Sequence, residues 1–257
     1  MVEAHNWILK QLDVNNSFLH GELDEEIYML LPPGLQSPST ILVCHLKKSL
    51  YGLKQAGRQW YAKLSNFLLS HKYFISTFDH SLFLKHDGNH TTTILVYVDD
   101  IVLTGNNPME ISNITNLLNN FFHIKNMSDL TYFLGIEMAR NTTSIHLSQR
   151  KYTLDLLKDT GMLGCAPVPT LMLHTLKLSA TKGVPLDDKE VTTYRLLIGC
   201  PIYLTNTQPN ISFSMNHLSQ FVSKPTDEHH QATMRVLHYL KNAPGTGISF
   251  IAKLLFN

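Results

Sequence analysis

The chain has 257 residues, of which 44% are hydrophobic and 16% are charged, and its formal net charge is +1. These values are typical of a folded globular protein of one or two domains and argue against a disordered chain. Three cysteines without CxxC spacing exclude a disulfide framework and a zinc site, and no apolar run approaches membrane-spanning length.

The first predicted strand carries an acid close to its end. Ile8, Leu12 and Val14 are its apolar members, and Asp13 lies between the last two. A short helical turn follows and ends at Gly21. The next predicted elements are a strand at 27–30, a loop at 31–40, and a helix in the second half of 49–73 whose apolar face carries Trp60, Leu64, Phe67 and Leu68.

The stretch ILVYVDDIVLTG, residues 94–105, places two adjacent acids, Asp99 and Asp100, between two short β-branched runs. This pattern predicts a hairpin with a double carboxylate at its tip. A turn signal at 87–88 extends the prediction to a three-stranded antiparallel meander over 81–104. A solvated turn is the alternative, because aspartate is common in turns. Carboxylates on a buried sheet would repel each other, and a divalent cation that prefers oxygen ligands, such as Mg²⁺, would relieve the repulsion.

The remaining sequence predicts helices and one more hairpin. The elements are a helix at 109–122 with Ile111, Ile114, Leu117, Leu118 and Phe121 on its apolar face, a hairpin at 132–138 and 144–149, a helix at 149–160, and three helices at about 190–206, 210–222 and 226–242. Ser148 is the predicted N-cap of the 149–160 helix and Gly161 its C′ residue. Pro201 should kink the helix that contains it, and residues 164–189 are typical of a linker. We therefore expect an α+β domain followed by an α-helical one.

Several segments stand in an order and at a spacing that identify a family. They are KQLDVNNSFLHGELDEEIYM, SLYGLKQAGRQWY, ILVYVDDIVLTGN, YFLGIEM, HLSQRKY and the tail YLTNTQPNISFSMNHLSQFVSKPTDEH. Together they resemble the reverse transcriptase of copia-type LTR retrotransposons. The resemblance implies an α+β polymerase palm, with an antiparallel sheet and packed helices, over 1–148. A helical thumb or connection region over 149–257 would follow, with a loop at about 164–189. The implied activity is RNA-directed DNA polymerase within a Pol polyprotein, by two-metal phosphoryl transfer at a primer 3′ end.

The resemblance also implies roles for individual residues. Asp13 and Asp99 match the catalytic, metal-binding aspartates, with Asp100 as the supporting acid. Lys125 matches a lysine that protonates the leaving pyrophosphate, and a solvated helix-end cation is the alternative. Phe18 matches the aromatic residue that excludes a ribose 2′-hydroxyl, and core packing is the alternative. The other implied residues are Lys54, Gln55 and Arg58 for nucleotide binding, and Phe133, Leu134, Gly135, Ile136, Glu137 and Met138 for the primer grip.

The implied cofactor is Mg²⁺, two ions held by the three aspartates, with Mn²⁺ as the alternative ion. The implied partners are an RNA or DNA template with its primer and deoxynucleoside triphosphates, without a membrane. Phosphate contacts would hold the nucleic acid, and the net charge of +5 over 140–257, against −4 over 1–139, suits them. The expected location is the cytoplasm, in a virus-like particle in the family, or the nucleus.

The sequence also departs from the family pattern. The fingers segment expected before the Asp13 strand and the ribonuclease H domain expected near Gly245 are not found, so we expect a truncated fragment with weak or no polymerase activity. Gly57 stands at a usual proline. The other departures are Pro201, Gln208, Asn210 and His230, at positions usually occupied by an apolar residue, Arg, Asp and Trp. The alternatives are a catalytically dead nucleic-acid-binding relic and another metal-dependent nucleotidyl transferase with the palm plan. Neither a P-loop nor a Rossmann glycine pattern offers a competing nucleotide site.

Overall fold

The computed structural model of the protein describes residues 7–35, 42–173 and 177–251 and, at 126–128, the backbone alone. It divides into two compact units, Met1–Leu130 and Thr131–Asn257. Each unit combines helices with antiparallel strands, so the predicted α+β class is confirmed. The helices in the described part of the chain all lack the length and apolar character that crossing a bilayer requires.

The strands of the first unit are β1 (Ile8–Val14), β2 (Glu22–Leu30), β3 (Val43–Lys48), β4 (Phe74–Ile75), β5 (Leu82–Asp87), β6 (His90–Tyr97), β7 (Asp100–Gly105) and β8 (Ile124–Asp129). Six of them form one antiparallel sheet with the order β4-β5-β6-β7-β1-β8, and β2 and β3 form a separate two-stranded ribbon. The helices of the first unit are a 3₁₀ turn at Ser17–His20, α1 (Ala56–Ser70) and α2 (Pro108–Phe122). The predicted meander, β5-β6-β7, is confirmed.

Alternation along β1 separates the core face of the sheet from the site face. Leu12 and Val14 are buried in the core, whereas Gln11 and Asp13 belong to the opposite face. The apolar faces of α1 and α2 pack against the core face, with Trp60, Leu64, Leu68, Ile111, Ile114, Leu118 and Phe122. One prediction was wrong by one position. Phe121 is half exposed and Phe122 is fully buried, because α2 reaches the core through the 111, 114, 118 and 122 spacing.

Four strands of the first unit differ from the prediction. The strand predicted at 27–30 extends back to Glu22, and its partner β3 and the edge strands β4 and β8 were not predicted. The predicted loop at 31–40 is described only at 31–35, where it has no regular strand or helix, and residues 36–40 lie outside the described residues.

The second unit packs helices around one apolar core and carries four strands, β9 (Tyr132–Phe133), β10 (Ile136–Arg140), β11 (Ser144–Ser148) and β12 (Gly247–Ile251). They form an antiparallel sheet with the order β12-β11-β10-β9. The helices of the second unit are α3 (Arg150–Asp159), α4 (Asp188–Leu204), α5 (Ser212–Ser219), α6 (Asp227–Asn242) and 3₁₀ turns at Met162–Gly164 and Pro209–Ile211. The predicted helices are present. The predicted hairpin of 132–138 and 144–149 is present only as β10–β11, because 132–138 turns back at Leu134 and Gly135 and forms two strands, β9 and β10. Strand β12 was not predicted. The domain boundary at 148/149 stays a prediction, and the compact units divide earlier in the chain.

The start of α3 corrects the predicted helix cap. Ser148 lies in β11, opposite Glu137, and the N-cap position is Gln149. The carboxylate of Glu137 accepts a hydrogen bond from the backbone N–H of Lys151 at 2.6 Å, which satisfies one free amide of the first turn. Gly161 follows the C-cap with a left-handed φ of 70°, as predicted. The kink at Pro201, which lies inside α4, stays a prediction.

Candidate active site

Four side chains form one row across the central strands of the first unit. In the antiparallel register, Asp13 on β1 lies opposite Asp100 on β7 and opposite Lys125 on β8. Asp100 also lies opposite Tyr97 on β6. Directly opposed residues share a face, with Cβ atoms about 5 Å apart. The row therefore reads Tyr97, Asp100, Asp13, Lys125, and the Asp13 strand lies beside the Asp99–Asp100 hairpin in one antiparallel sheet.

Asp99 lies in the two-residue turn between β6 and β7, next to the row. The first turn residue, Val98, has a left-handed φ of 53°. The carbonyl of Asp99 accepts a hydrogen bond from the backbone N–H of Val14 at 2.9 Å. The turn is therefore fixed to the end of β1, so the three aspartates belong to one hydrogen-bonded unit.

The charges of this cluster act on Asp13. Burial raises the pKa of its carboxyl, and the negative charges of Asp99 and Asp100 raise it further, whereas Lys125 opposes them. Asp100 is oriented by Gln11, whose amide nitrogen donates to Oδ1 at 3.1 Å. Because neighbouring carboxylates make the ionised form of Asp13 less favourable, a bound cation would be stabilising here.

The donor set fits a hard divalent cation. All the candidate ligand atoms are carboxylate oxygens, which Mg²⁺ prefers over nitrogen or sulfur ligands. Within the described ranges, no three Asp, Glu, His or Cys side chains are arranged to hold one ion between them. That arrangement is compatible with Mg²⁺, which commonly uses one or two protein carboxylates and completes its shell with water and substrate phosphates.

The predicted nucleotide-binding residues lie around the N-terminal end of α1 and the 3₁₀ turn. Phe18 packs its ring 4.7 Å from that of Tyr51, and it lines an open cavity of ≈ 260 Å³ together with Val98 of the turn and Gly57 of α1. The structure thus brings Phe18 beside the turn that carries Asp99. The three remaining residues, which do not line this cavity, are the exposed Lys54 and Arg58 and the half-buried Gln55.

The predicted primer grip forms a hairpin of the second unit. Phe133 ends β9, Leu134 and Gly135 form the turn, and Ile136, Glu137 and Met138 begin β10. Both turn residues are left-handed, with φ of 48° at Leu134 and 78° at Gly135. The carbonyl of Leu134 accepts a hydrogen bond from the hydroxyl of Tyr203 on α4.

Two residues that contact the aspartate site were not predicted from the sequence. Trp60 Nε1 donates to the carbonyl of Val98 at 2.6 Å, although its position on the apolar face of α1 indicated only a core role. Gln11 holds Asp100, and it could have been found, because residues two apart on a strand share a face and Gln11 precedes Asp13 by two. Lys125 was weighed as a helix-end cation, but it lies on β8 beyond the end of α2.

The comparisons with known proteins agree with this architecture. A sequence profile of the family described as "Reverse transcriptase (RNA-dependent DNA polymerase)" matches residues 1–174, and the chain belongs to this family. Members of the family generally use divalent metal ions.

The chain is similar to curated polyproteins of plant transposons. It is 47% identical over 244 residues to "Retrovirus-related Pol polyprotein from transposon RE1" of Arabidopsis thaliana. The aligned residues make up 95% of this chain and 16% of that protein. It is 45% identical to the corresponding RE2 polyprotein of the same plant, covering 95% of this chain and 17% of the relative. It is 35% identical to "Retrovirus-related Pol polyprotein from transposon TNT 1-94" of Nicotiana tabacum, covering 94% and 19%. The chain therefore spans less than a fifth of these relatives.

Proposed function

We propose that this chain is the palm and thumb part of an RNA-directed DNA polymerase from a copia-type retrotransposon, which adds deoxynucleotides to a primer 3′ end. The observation that carries the proposal is the opposition of Asp13 and Asp100 on neighbouring strands, with Asp99 in the adjoining turn. The Pol polyproteins to which the chain is similar support the same assignment.

In this proposal the aspartates would hold Mg²⁺, with Mn²⁺ as the alternative ion. When bound, the two ions would activate the primer 3′-hydroxyl and neutralise charge on the triphosphate. Gln11 keeps Asp100 oriented through its amide, and Asp13 retains a proton more readily than an ordinary aspartate until a cation compensates its neighbours. Lys125, opposite Asp13, is the proposed proton donor to the leaving pyrophosphate.

The substrate contacts follow from the same side chains. Phe18, on the cavity beside the turn, would exclude a ribose 2′-hydroxyl by its bulk. The N-terminal end of α1 carries partial positive charge, and with Lys54, Gln55 and Arg58 it would attract the triphosphate. The hairpin at 133–138 would hold the primer end. The proposed partners are a primed template and deoxynucleoside triphosphates, and the proposed location is the cytoplasm, in a virus-like particle, with the nucleus as the alternative.

We further propose that the 257-residue polypeptide by itself incorporates nucleotides slowly. Phosphoryl transfer depends on holding the triphosphate in line with the attacking hydroxyl. In the central row of this sheet, Lys125 is the one cation among the described residues that faces the aspartates.

The test is deoxynucleotide incorporation on a primed homopolymer with Mg²⁺, together with primer–template binding at two salt concentrations. We expect slow incorporation that Asp99→Asn abolishes, and weak, salt-sensitive binding that the same substitution leaves intact. Robust incorporation that Asp99→Asn abolishes would support the polymerase and refute the low rate. Binding without any incorporation would favour the relic, and incorporation unchanged by Asp99→Asn would refute the proposed site.

A further inference from the structure

The turn that carries Asp99 has an unfavourable backbone conformation. Its first residue, Val98, is β-branched and has a φ of 53°, a region that such residues rarely adopt. A positive φ at the first turn position alone is the signature of a type II′ turn, which usually has glycine there. A conformation of this kind persists only where the surrounding structure holds it in place.

Trp60 supplies such a constraint from the core of the first unit. Its indole Nε1 donates to the carbonyl oxygen of Val98 at 2.6 Å. The ring is 2% exposed and packs edge-on against Phe122, with 5.1 Å between ring centroids. The donor is therefore itself immobilised by the packing of α1 and α2, rather than being a mobile surface group.

The accepting carbonyl is the one that matters for Asp99. It belongs to the peptide unit whose nitrogen is that of Asp99, so its orientation and that of the Asp99 amide are fixed together. If this peptide plane rotated, the turn would change type and the direction of the Asp99 side chain would change with it. On the other side, the carbonyl of Asp99 is held by Val14.

We propose that Trp60 is a positioning residue for the reaction, because its indole N–H locks the Val98–Asp99 peptide so that the Asp99 carboxylate stays beside Asp13. This role rests on the proposed function, in which Asp99 binds a metal ion. A tryptophan that only filled the core would make the same ring contacts without needing its N–H.

The test uses Trp60→Phe in the full chain, which keeps an aromatic ring against Phe122 and removes the donor. Tyr194→Phe is the matched control, because the buried Tyr194 hydroxyl donates to the carbonyl of Leu218 at 2.8 Å in the second unit. The first readout is amide hydrogen exchange at residues 98–100. The second is Mn²⁺ affinity, measured by electron paramagnetic resonance.

We expect Trp60→Phe to accelerate exchange at the turn about tenfold, the size expected from losing one buried hydrogen bond, and to weaken Mn²⁺ binding several-fold. Tyr194→Phe should change neither readout, even if it lowers the melting temperature equally. Exchange at the turn that is unchanged, or that rises equally across the whole sheet, would overturn the positioning role. Mn²⁺ binding that Asp99→Asn does not weaken would instead overturn the proposed function, and the exchange data would still decide the role of Trp60.

Discussion

In the β6–β7 and β9–β10 hairpins, the same kind of hydrogen bond fixes the turn, but the donor side chain is buried in one hairpin and partly exposed in the other. In each turn a residue other than glycine, Val98 or Leu134, has a positive φ, and its carbonyl accepts a hydrogen bond from an aromatic side chain of a helix. The donor of the first turn, Trp60, is 2% exposed, whereas Tyr203, the donor of the second, is 38% exposed. The first turn therefore depends on the core of its unit, and the second depends on a side chain at the surface.

The strands that carry the first turn are also more deeply embedded in their sheet than those that carry the second. β6 and β7 are interior strands of the six-stranded sheet, paired on both sides. β9 has only two residues and forms an edge of the four-stranded sheet. A carboxylate cluster needs fixed geometry, because misplacement by about 1 Å can strongly reduce catalysis. A hairpin with the proposed role of holding a primer end, which moves during synthesis, can be held by a side chain nearer the surface.

The largest expected effect on the free energy of unfolding comes from replacing each of the two hydrogen-bond donors, Trp60 and Tyr203, separately. Trp60→Ala should destabilise the protein by about 3–5 kcal/mol, because it leaves a large cavity in the core. Tyr203→Ala should cost about 1 kcal/mol, since the ring is partly exposed and one hydrogen bond is lost. Urea unfolding of both variants checks this difference, and similar losses would contradict the proposed difference in depth.

A smaller effect on stability is expected from replacing two glycines by alanine, and its sign should depend on the backbone conformation of each glycine. Gly135→Ala should destabilise the protein by about 1 kcal/mol, because its φ of 78° is strained for any residue with a Cβ. Gly57→Ala, the matched control in the first turn of α1, should stabilise by about 0.5 kcal/mol, because the added methyl group meets no atom within 4 Å and alanine favours helix. Thermal unfolding of the two variants measures these effects, and a Gly135→Ala variant at least as stable as the wild type would show that backbone strain does not limit the second turn.

The smallest expected effect on stability comes from the ionisation of Asp13 in the aspartate site. The raised pKa of Asp13 means that its contribution to stability is complete below the ordinary value of 3.8 and is lost as the pH rises through the folded-state value. Asp13→Asn should therefore stabilise the metal-free protein at pH 7, by less than about 1 kcal/mol because water screens a partly exposed group. Below pH 3.8 the variant and the wild type should converge.

Added Mn²⁺ reverses the expected order of these two proteins. An ion that binds only the folded state raises stability by mass action, so the wild type should gain more than Asp13→Asn. Melting curves at pH 7 with and without Mn²⁺ make the comparison. An equal gain in both proteins would place the bound ion away from Asp13.

The pattern of the sequence was sufficient where one face of an element is buried. The alternation in β1, the short apolar runs in β6 and β7 and the spacing in α1 and α2 all follow from burial in the core. Strands β3 and β8 were missed because their partners, rather than their own apolar residues, determine them. In β8, Ile124 is the buried apolar residue among its described side chains. At the end of α2, Phe121 and Phe122 both fit a helical face, so only packing could choose between them.

The candidate site was predictable to the same extent. Two adjacent aspartates between apolar runs are visible in the sequence, and so is an aspartate at the end of another strand. The pairing of Asp13 with Lys125 depends on β8, and the hydrogen bond from Trp60 depends on a left-handed Val98, which valine does not favour. Such contacts arise from the tertiary structure against local preference, so a single sequence gives no signal for them.

Glu137 gives the second hairpin a mechanical property. Its backbone belongs to β10, while its carboxylate occupies the amide end of α3 through Lys151. Because that end of a helix carries partial positive charge, sliding the strand would separate opposite charges and expose an amide. The β9–β10 hairpin and α3 should therefore move together, so that a displacement of the turn at Leu134 and Gly135 also displaces the first turn of the helix.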